Sequence, residues 1–321
     1  MSRIMITGAT GFVGSRLARS LAEAGHDIVE VGRRASSVAA TFSCVDSISD
    51  TTDYRNALSG CDVVIHLAAR VHVMHDDVED PLAAFRAVNL HGTVNLARQA
   101  AAAGVKRFVY VSSIKVNGEC TDVKPFTEAD DPHPQDPYGV SKWEAEQALE
   151  NISHETGMEM VIVRPPLVYG PGVKANFYSL LKLVSKGLPL PLGSIHNRRS
   201  MIYVDNLVDA LILCATHPAA AGQTYLLSDG EDVSTPQLVK EIAIAMKRPD
   251  RVFPFPLSIM RLAARMTGRS PAVDRLTQSL EIDNSKIRKE LGWQPPYSMQ
   301  QGLQKTADWF FLSNSSMKAE E

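Results

Sequence analysis

Three residues in this chain have the types and spacing to move a proton beside a hydride: Ser113, Tyr138 and Lys142. Tyr138 and Lys142 stand four apart, so on a helix they share one face. A phenol titrates at about 10 in water, too high for a base at neutral pH. A lysine cation one helical turn away favours the phenolate and brings that value down. Ser113 follows the apolar run 108–111, which places it at a strand end, where it can hydrogen-bond the same substrate oxygen as the tyrosine. The three together suit proton transfer to or from an alcohol or ketone next to a nicotinamide. A tyrosine and lysine at this spacing also occur as a packed ring and a surface charge, so the elements that position them have to decide.

The first such element lies at the start of the chain. An apolar run, 4–6, leads into Thr7-Gly8-Ala9-Thr10-Gly11-Phe12-Val13-Gly14, and a helical pattern (Leu17, Leu21, Ala24) leads out. Strand, glycine turn and helix form the context of a dinucleotide-binding fingerprint. Gly8 allows the turn out of the strand, Gly11 lets backbone approach a pyrophosphate, and Gly14 lets the helix pack close to the sheet. The phosphates would sit on the unpaired N–H groups of the helix start, around Phe12 and Val13.

A second apolar strand, 28–31, ends at Gly32-Arg33-Arg34. An acidic residue at such a strand end accepts hydrogen bonds from the ribose of NAD, whereas an arginine pairs the extra phosphate of NADP. With glycine in the acidic position, Arg33 and Arg34 predict NADP, with NAD as the alternative; two solvated surface charges would read the same way. Ile48 falls where an adenine contact is expected. A further strand, 62–66, runs into Leu67, Ala68 and Ala69, small enough at their end for a cofactor to pass over. His66 inside that run reads as a hydrogen-bonded core residue.

The regular alternation continues through a helix over 85–103 that holds Asn89, the strand before Ser113, a helix from Tyr138 through Leu149, and a strand over 160–163. This predicts an α/β fold: a Rossmann-type doubly wound parallel sheet. Residues 202–204 and 224–227 read as a return to that sheet. The dinucleotide-binding domain is expected over 1–165 plus 201–230. A smaller, discontinuous C-terminal domain for substrate is expected over 166–200 plus 231–312, and a disordered tail over 313–321.

Bulk properties narrow the function classes. The net charge of −3 and the lack of a basic stripe imply no affinity for nucleic acid. No apolar run approaches a membrane span, so no membrane insertion is expected. Four scattered cysteines, with no C-x-x-C, read as reduced packing residues of a cytoplasmic protein. His72, His75, Asp76, Asp77, Glu79 and Asp80 cluster in a polar stretch that reads as a solvated flap, so no metal is expected.

The chain resembles the extended short-chain dehydrogenases/reductases, the nucleotide-sugar epimerase/dehydratase group. The matching pieces are residues 7–14, His66-Leu67-Ala68-Ala69, Asn89, Val111-Ser112-Ser113 with Gly118, Tyr138 with Lys142, Arg164-Pro165 with Tyr169-Gly170-Pro171-Gly172, Val204-Asp205-Asn206-Leu207 and Leu291-Gly292-Trp293. The resemblance implies that Ser113, Tyr138 and Lys142 are catalytic. It adds Asn89 and Pro165, with Tyr138 and Lys142, to the cofactor contacts, and a UDP-sugar as substrate. Asn176, Arg199 and Arg275 fall among the expected substrate contacts, arginine being suited to phosphate oxygens.

Sugar 4,6-dehydratases of the group carry an acid pair after the catalytic hydroxyl residue, where this chain has Ile114 and Lys115. A 4-keto reductase of a UDP-4-keto-6-deoxy-HexNAc, in polysaccharide or O-antigen precursor synthesis, is therefore the leading expectation, because of Gly32-Arg33. A UDP-glucose or UDP-HexNAc 4-epimerase is the alternative. A lipid-linked diphospho-sugar stays open as substrate, and a nucleotide sensor or a dehydrogenase of a hydrophobic alcohol ranks below. The resemblance also implies a homodimer through the helices bearing Asn89 and Tyr138.

Overall fold

Apolar runs alternating with amphipathic stretches fold as parallel strands buried on both faces and helices that cover them. The computed structural model describes residues 1–36, 38, 41–71, 79–268 and 270–319. In chain order the first half is β1 (Arg3–Thr7), α1 (Gly14–Glu23), β2 (Asp27–Gly32), β3 (Thr41–Cys44), α2 (Arg55–Leu58), β4 (Val63–His66), α3 (Pro81–Arg86), α4 (Thr93–Ala102), β5 (Arg107–Val111), α5 (Pro137–Thr156) and β6 (Glu159–Arg164). The second half is β7 (Leu167–Tyr169), α6 (Ala175–Ser185), β8 (Met201–Tyr203), α7 (Val204–Thr216), β9 (Thr224–Leu226), α8 (Thr235–Ala245), α9 (Leu257–Met266), α10 (Ser270–Thr277), α11 (Ser285–Leu291) and α12 (Met299–Ala319).

One parallel sheet has the order β3-β2-β1-β4-β5-β6-β9. The chain winds outward from β1 through β3, then returns to the other side of β1 at β4. That reversal opens a crevice above the carboxyl ends of β1 and β4, the place where doubly wound sheets bind ligands. Leu17 and Leu21 of α1 pack with Leu207 and Leu211 of α7 in one core cluster of the sheet. Leu96 and Ala100 of α4 pack with Leu149 and Ile152 of α5 in another. A separate apolar cluster joins Phe177 and Leu181 of α6, Leu238 and Ile242 of α8, and Leu303 and Phe310 of α12.

Four elements differ from the sequence expectation. The polar stretch after β2 contains an edge strand, β3, whose residues alternate between half-buried and exposed. Residues 201–203 do not rejoin the main sheet; β8 pairs with β7 in a separate two-stranded sheet. The Asp229 carboxylate takes the Tyr203 N–H (3.0 Å) and the Tyr169 hydroxyl (2.9 Å), which fixes both strands to each other's side. The helix expected over 85–103 is α3 and α4 joined by a wider π-type turn, Ala87–Gly92. The last helix continues through Ala319, where a disordered tail was expected from 313, with Asn314 bonded back to the Phe310 carbonyl.

His72, His75, Asp76 and Asp77 lie outside the described residues. Asp80 caps α3 through the Ala83 N–H (3.0 Å). Among the described residues no cluster of His, Cys, Asp and Glu could hold a metal ion, and no helix is long and apolar enough to cross a membrane.

Candidate active site

The site is built where β5 ends and α5 begins. Asp136 caps α5, its carboxylate taking the Gly139 N–H at 2.6 Å, and Pro137 occupies the first turn, where its missing N–H is harmless. This start fixes Tyr138 in the first turn and puts Lys142 one turn further along the same face. Lys142 is buried, and its Nζ donates to the Val111 carbonyl at 2.8 Å. It also lies over the Tyr110 ring (4.4 Å to the centroid) and 6.0 Å from the Tyr138 ring centroid. Ser113, two residues beyond Val111, is extended and faces the Tyr138 hydroxyl. The structure therefore brings Ser113, Tyr138 and Lys142 together.

Burial dominates their proton affinities. It pushes the Tyr138 phenol up to about 12, with the Asp136 carboxylate adding to the rise and the Ser113 hydroxyl opposing it. It pulls the Lys142 ammonium down to about 7, against the attraction of Glu146. The lowering of Tyr138 expected from the lysine cation is not seen in the chain alone. The Lys142 ammonium is turned to a main-chain carbonyl rather than to the phenol. His66 is held neutral by burial, with its pKa near 3, and the Lys142 charge adds to that shift. Its ring nitrogens are hydrogen-bonded to Thr7 (2.6 Å) and Thr93 (2.9 Å).

The glycine turn stands at the carboxyl end of β1. Gly8 has φ +77°, a conformation that a side chain disfavours. A Cβ on Gly14 would lie 2.1 Å from the Gly8 carbonyl oxygen, so α1 is seated directly on the turn. The helix starts at Val13 with no side-chain cap and has no acidic residue in its first turn. Uncapped N–H groups and a bare glycine backbone fit a dinucleotide pyrophosphate.

Leu67, Ala68 and Ala69 lie half-buried beyond β4, with the Ala68 N–H bonded to the Thr7 hydroxyl (3.2 Å). Ile48 packs so closely on Gly92 that a Cβ there would meet Ile48 Cγ2 at 2.8 Å. Phe12 approaches Gly172, and Pro165 is buried with its carbonyl taking the Ile114 N–H (3.0 Å). Arg33 and Arg34 are exposed past β2. Asn89 lies within the protein between two elements of the site. Its side chain is bonded to the N–H and carbonyl of Arg70 (2.8 and 3.0 Å) and to the Ser141 hydroxyl (3.0 Å). It is almost wholly buried, and it ties the segment after β4 to α5.

Among the substrate candidates, Asn176 is exposed in the first turn of α6. Arg199 lies between two bridged segments, pairing with Val233 and Leu280. Its Nη1 donates to the carbonyls of Arg275 (3.1 Å) and Gln278 (3.3 Å) at the end of α10. Burial lowers its pKa. Arg275 is exposed. The structure thus joins Arg199 to the backbone of Arg275 and leaves Asn176 on a different element.

Sequence reasoning passed over a charged group beneath these residues. Glu146 and Arg164 form a buried ion pair, 2.5 Å between Oε2 and Nη2. The sign was present: 138, 142, 146 and 149 lie on one face of α5, so a carboxylate there must be buried with a partner.

Comparison with known proteins adds lineage to this geometry. The family model described as NAD dependent epimerase/dehydratase family matches residues 4–228. A UDP-glucose 4-epimerase of Vibrio cholerae is 48% identical over 97% of this chain and 96% of its own length. An N-acetyl-alpha-D-glucosaminyl-diphospho-ditrans,octacis-undecaprenol 4-epimerase of Escherichia coli O157:H7 is 30% identical over 96% of this chain and 95% of its own. The solved structure of a UDP-glucose 4-epimerase with UDP-glucose, from Thermotoga maritima, superposes with a TM-score of 0.78. It is 25% identical, covering 97% of this chain and 99% of that one. With most of the chain inside the family model and an aligned relative at nearly half identity, the chain belongs to the NAD dependent epimerase/dehydratase family.

Proposed function

We propose that the chain is a UDP-sugar 4-epimerase, with UDP-glucose as the first substrate to try. The observation that carries this reading is that Tyr138, in the first turn of α5, has Ser113 beside it beyond β5 and Lys142 one turn further along, on the same sheet whose β1 ends in the glycine turn. One phenol can take the C4 hydroxyl proton in one direction and return it in the other, which is what inversion through a ketone requires. The residues after Ser113 are committed elsewhere: Ile114 is buried, and Lys115 is paired with Glu119 and Asp136 (2.8 and 2.5 Å). They offer no acid and base for removing water from the sugar. The names of the Vibrio, Escherichia and Thermotoga relatives point the same way.

A nicotinamide dinucleotide, when bound, would supply the hydride acceptor and donor. The turn around Gly8, Gly11 and Gly14 would hold the pyrophosphate, and Lys142 would orient the ribose and, on turning from the Val111 carbonyl, steady negative charge on Tyr138. Ser113 aligns the C4 oxygen. Arg199, with the segment around Arg275, holds the substrate diphosphate.

This reading reverses the order of preference drawn from Gly32-Arg33, which put a 4-keto reductase first. The cofactor is assigned as NAD on the family description. The homodimer and a cytoplasmic site of action belong to the same reading. The test incubates the purified protein with UDP-glucose, UDP-N-acetylglucosamine and a lipid-linked N-acetylglucosaminyl diphosphate, with no cofactor added. The expected result is the C4 epimer of one of them with no net change in nicotinamide absorbance. Consumption of NADPH by a 4-keto sugar, with no epimer formed, would return the reductase to first place.

A further inference from the structure

We propose that the exposed side of α9 is a docking surface for an anionic phospholipid bilayer. Residues 259, 262 and 266 are spaced to share one side of that helix. They are Ile259, Leu262 and Met266, and they are 52, 60 and 82% exposed. The opposite side already has its partner. Leu257 and Met260 pack on the apolar cluster of α6, α8 and α12, and Ala264 is buried. Thus α9 is apolar on two sides, and folding uses one of them. Phe253, in the segment leading into α9, adds an exposed ring. Single apolar side chains at a surface are ordinary, but three along one side of a helix form a patch that marks an interaction site.

Charge selects the occupant. Arg261 and Arg265, four apart and exposed, form a stripe beside the apolar one, and α9 contains no acidic residue. Residues 247–266 hold Lys247, Arg248, Arg251, Arg261 and Arg265 against the single acid Asp250, a net charge of +4 in a chain whose total is −3. The total conceals this local excess. Arginine stems lie along an apolar surface and carry their charge to its edge. Aliphatic side chains flanked by arginines suit the boundary of an anionic bilayer, where acyl chains take the first and headgroup phosphates the second. A second copy of the chain fits less well, because a two-fold contact sets the same arginines against one another. The contact is peripheral, since no helix among the described residues is long and apolar enough to cross a membrane. It lies on the lobe of α6, α8 and α12. There α9 packs on α10, whose Arg275 carbonyl takes the Arg199 guanidinium.

The test is flotation of the full chain with vesicles of phosphatidylcholine alone and of phosphatidylcholine with phosphatidylglycerol, at low and at high salt. It compares the wild type with Leu262→Ser/Met266→Ser and with Arg261→Gln/Arg265→Gln. All four positions are exposed, so both variants should fold, and an unchanged melting temperature checks this. The expected result is binding of the wild type to the phosphatidylglycerol vesicles only, weakening as salt is raised. Each pair of substitutions should weaken that binding by about tenfold or more. No binding at low salt, equal binding to phosphatidylcholine alone, or wild-type binding in either variant would overturn the proposal. Dissociation of an oligomer by Leu262→Ser/Met266→Ser, seen by sedimentation without vesicles, would give the face to a second copy and overturn it as well. None of these measurements needs substrate, so they decide the point apart from the 4-epimerase reading.

Discussion

The Lys142 ammonium is anchored to the carbonyl of Val111, 2.8 Å away, two residues before Ser113 on the same strand end. This hydrogen bond joins α5 to the end of β5 close to where Tyr138 approaches Ser113, beside the apolar packing of Ala145 and Leu149 on Phe108 and Tyr110. The arrangement places a cation in the protein interior, where charge is disfavoured.

Lys142→Met is expected to abolish turnover and to stabilise the cofactor-free chain. The folded value near 7 lies below the ordinary lysine value of 10.5. The unfolded chain therefore binds more protons between these limits, and stability rises with pH across the window. The destabilisation from Lys142 is fully present below pH 7 and gone above about 10.5. Thermal unfolding of the two proteins at a series of pH values checks this. The variant should melt a few degrees higher at pH 6, with the gain shrinking as the pH rises. A lower melting point for the variant at pH 6 would contradict it.

Gly14→Ala is expected to fail at the turn. A Cβ 2.1 Å from the Gly8 carbonyl oxygen meets backbone, which cannot swing aside. The helix must lift from the turn, and a loss of about 1–3 kcal/mol follows, the size seen for overpacked sites. Denaturant unfolding measures the loss. Dinucleotide content after purification should fall with it, because the same shift moves the first N–H groups of α1. An unfolding midpoint equal to the wild type would show that the turn has slack.

The two signatures that led to this site were local. The glycine turn and the tyrosine-lysine spacing each occupy one element, so the chain order alone displays them. The protein partners of Asn89 were not legible because its environment is set by a widened turn, Ala87–Gly92, which a regular helical pattern does not reveal. The Arg199 surroundings depend on carbonyls of Arg275 and Gln278, far along the chain, and the Glu146 partner lies on β6. Strand β8 reads as an ordinary sheet strand; its separation follows from Asp229, whose carboxylate is bonded to Tyr169 and Tyr203. Long-range polar pairing, rather than apolar periodicity, decided each of these.

Cofactor choice is expected to be shallow. Gly32 presents no carboxylate to hold the ribose of NAD or to repel a 2′-phosphate, and Arg33 and Arg34 are both exposed at the same strand end. Apo-protein should bind NAD and NADP within about tenfold of each other, a difference of no more than about 1.4 kcal/mol. Arg33→Ala/Arg34→Ala should weaken NADP and leave NAD unchanged. Equilibrium titration of both dinucleotides against both proteins measures this. NADP binding that is indifferent to the two arginines would make them surface charges.

Asn89→Leu is expected to lower kcat while leaving the catalytic residues in place. The substitution leaves the N–H and carbonyl of Arg70 and the hydroxyl of Ser141 without the partner that Asn89 supplies. Each of the three hydrogen bonds lost is worth about 0.5–1.5 kcal/mol, so stability should fall by a few kcal/mol. Ser141 retains its bond to the Tyr138 carbonyl (2.8 Å), which keeps the first turn of α5 closed. What loosens is the seam between α5 and the segment after β4, where the cofactor passes. Dinucleotide affinity and kcat should therefore drop together, and Asn89→Asp should restore only the bond to the Arg70 N–H. If Asn89→Leu lost stability with both quantities unchanged, the seam would have no part in holding the cofactor.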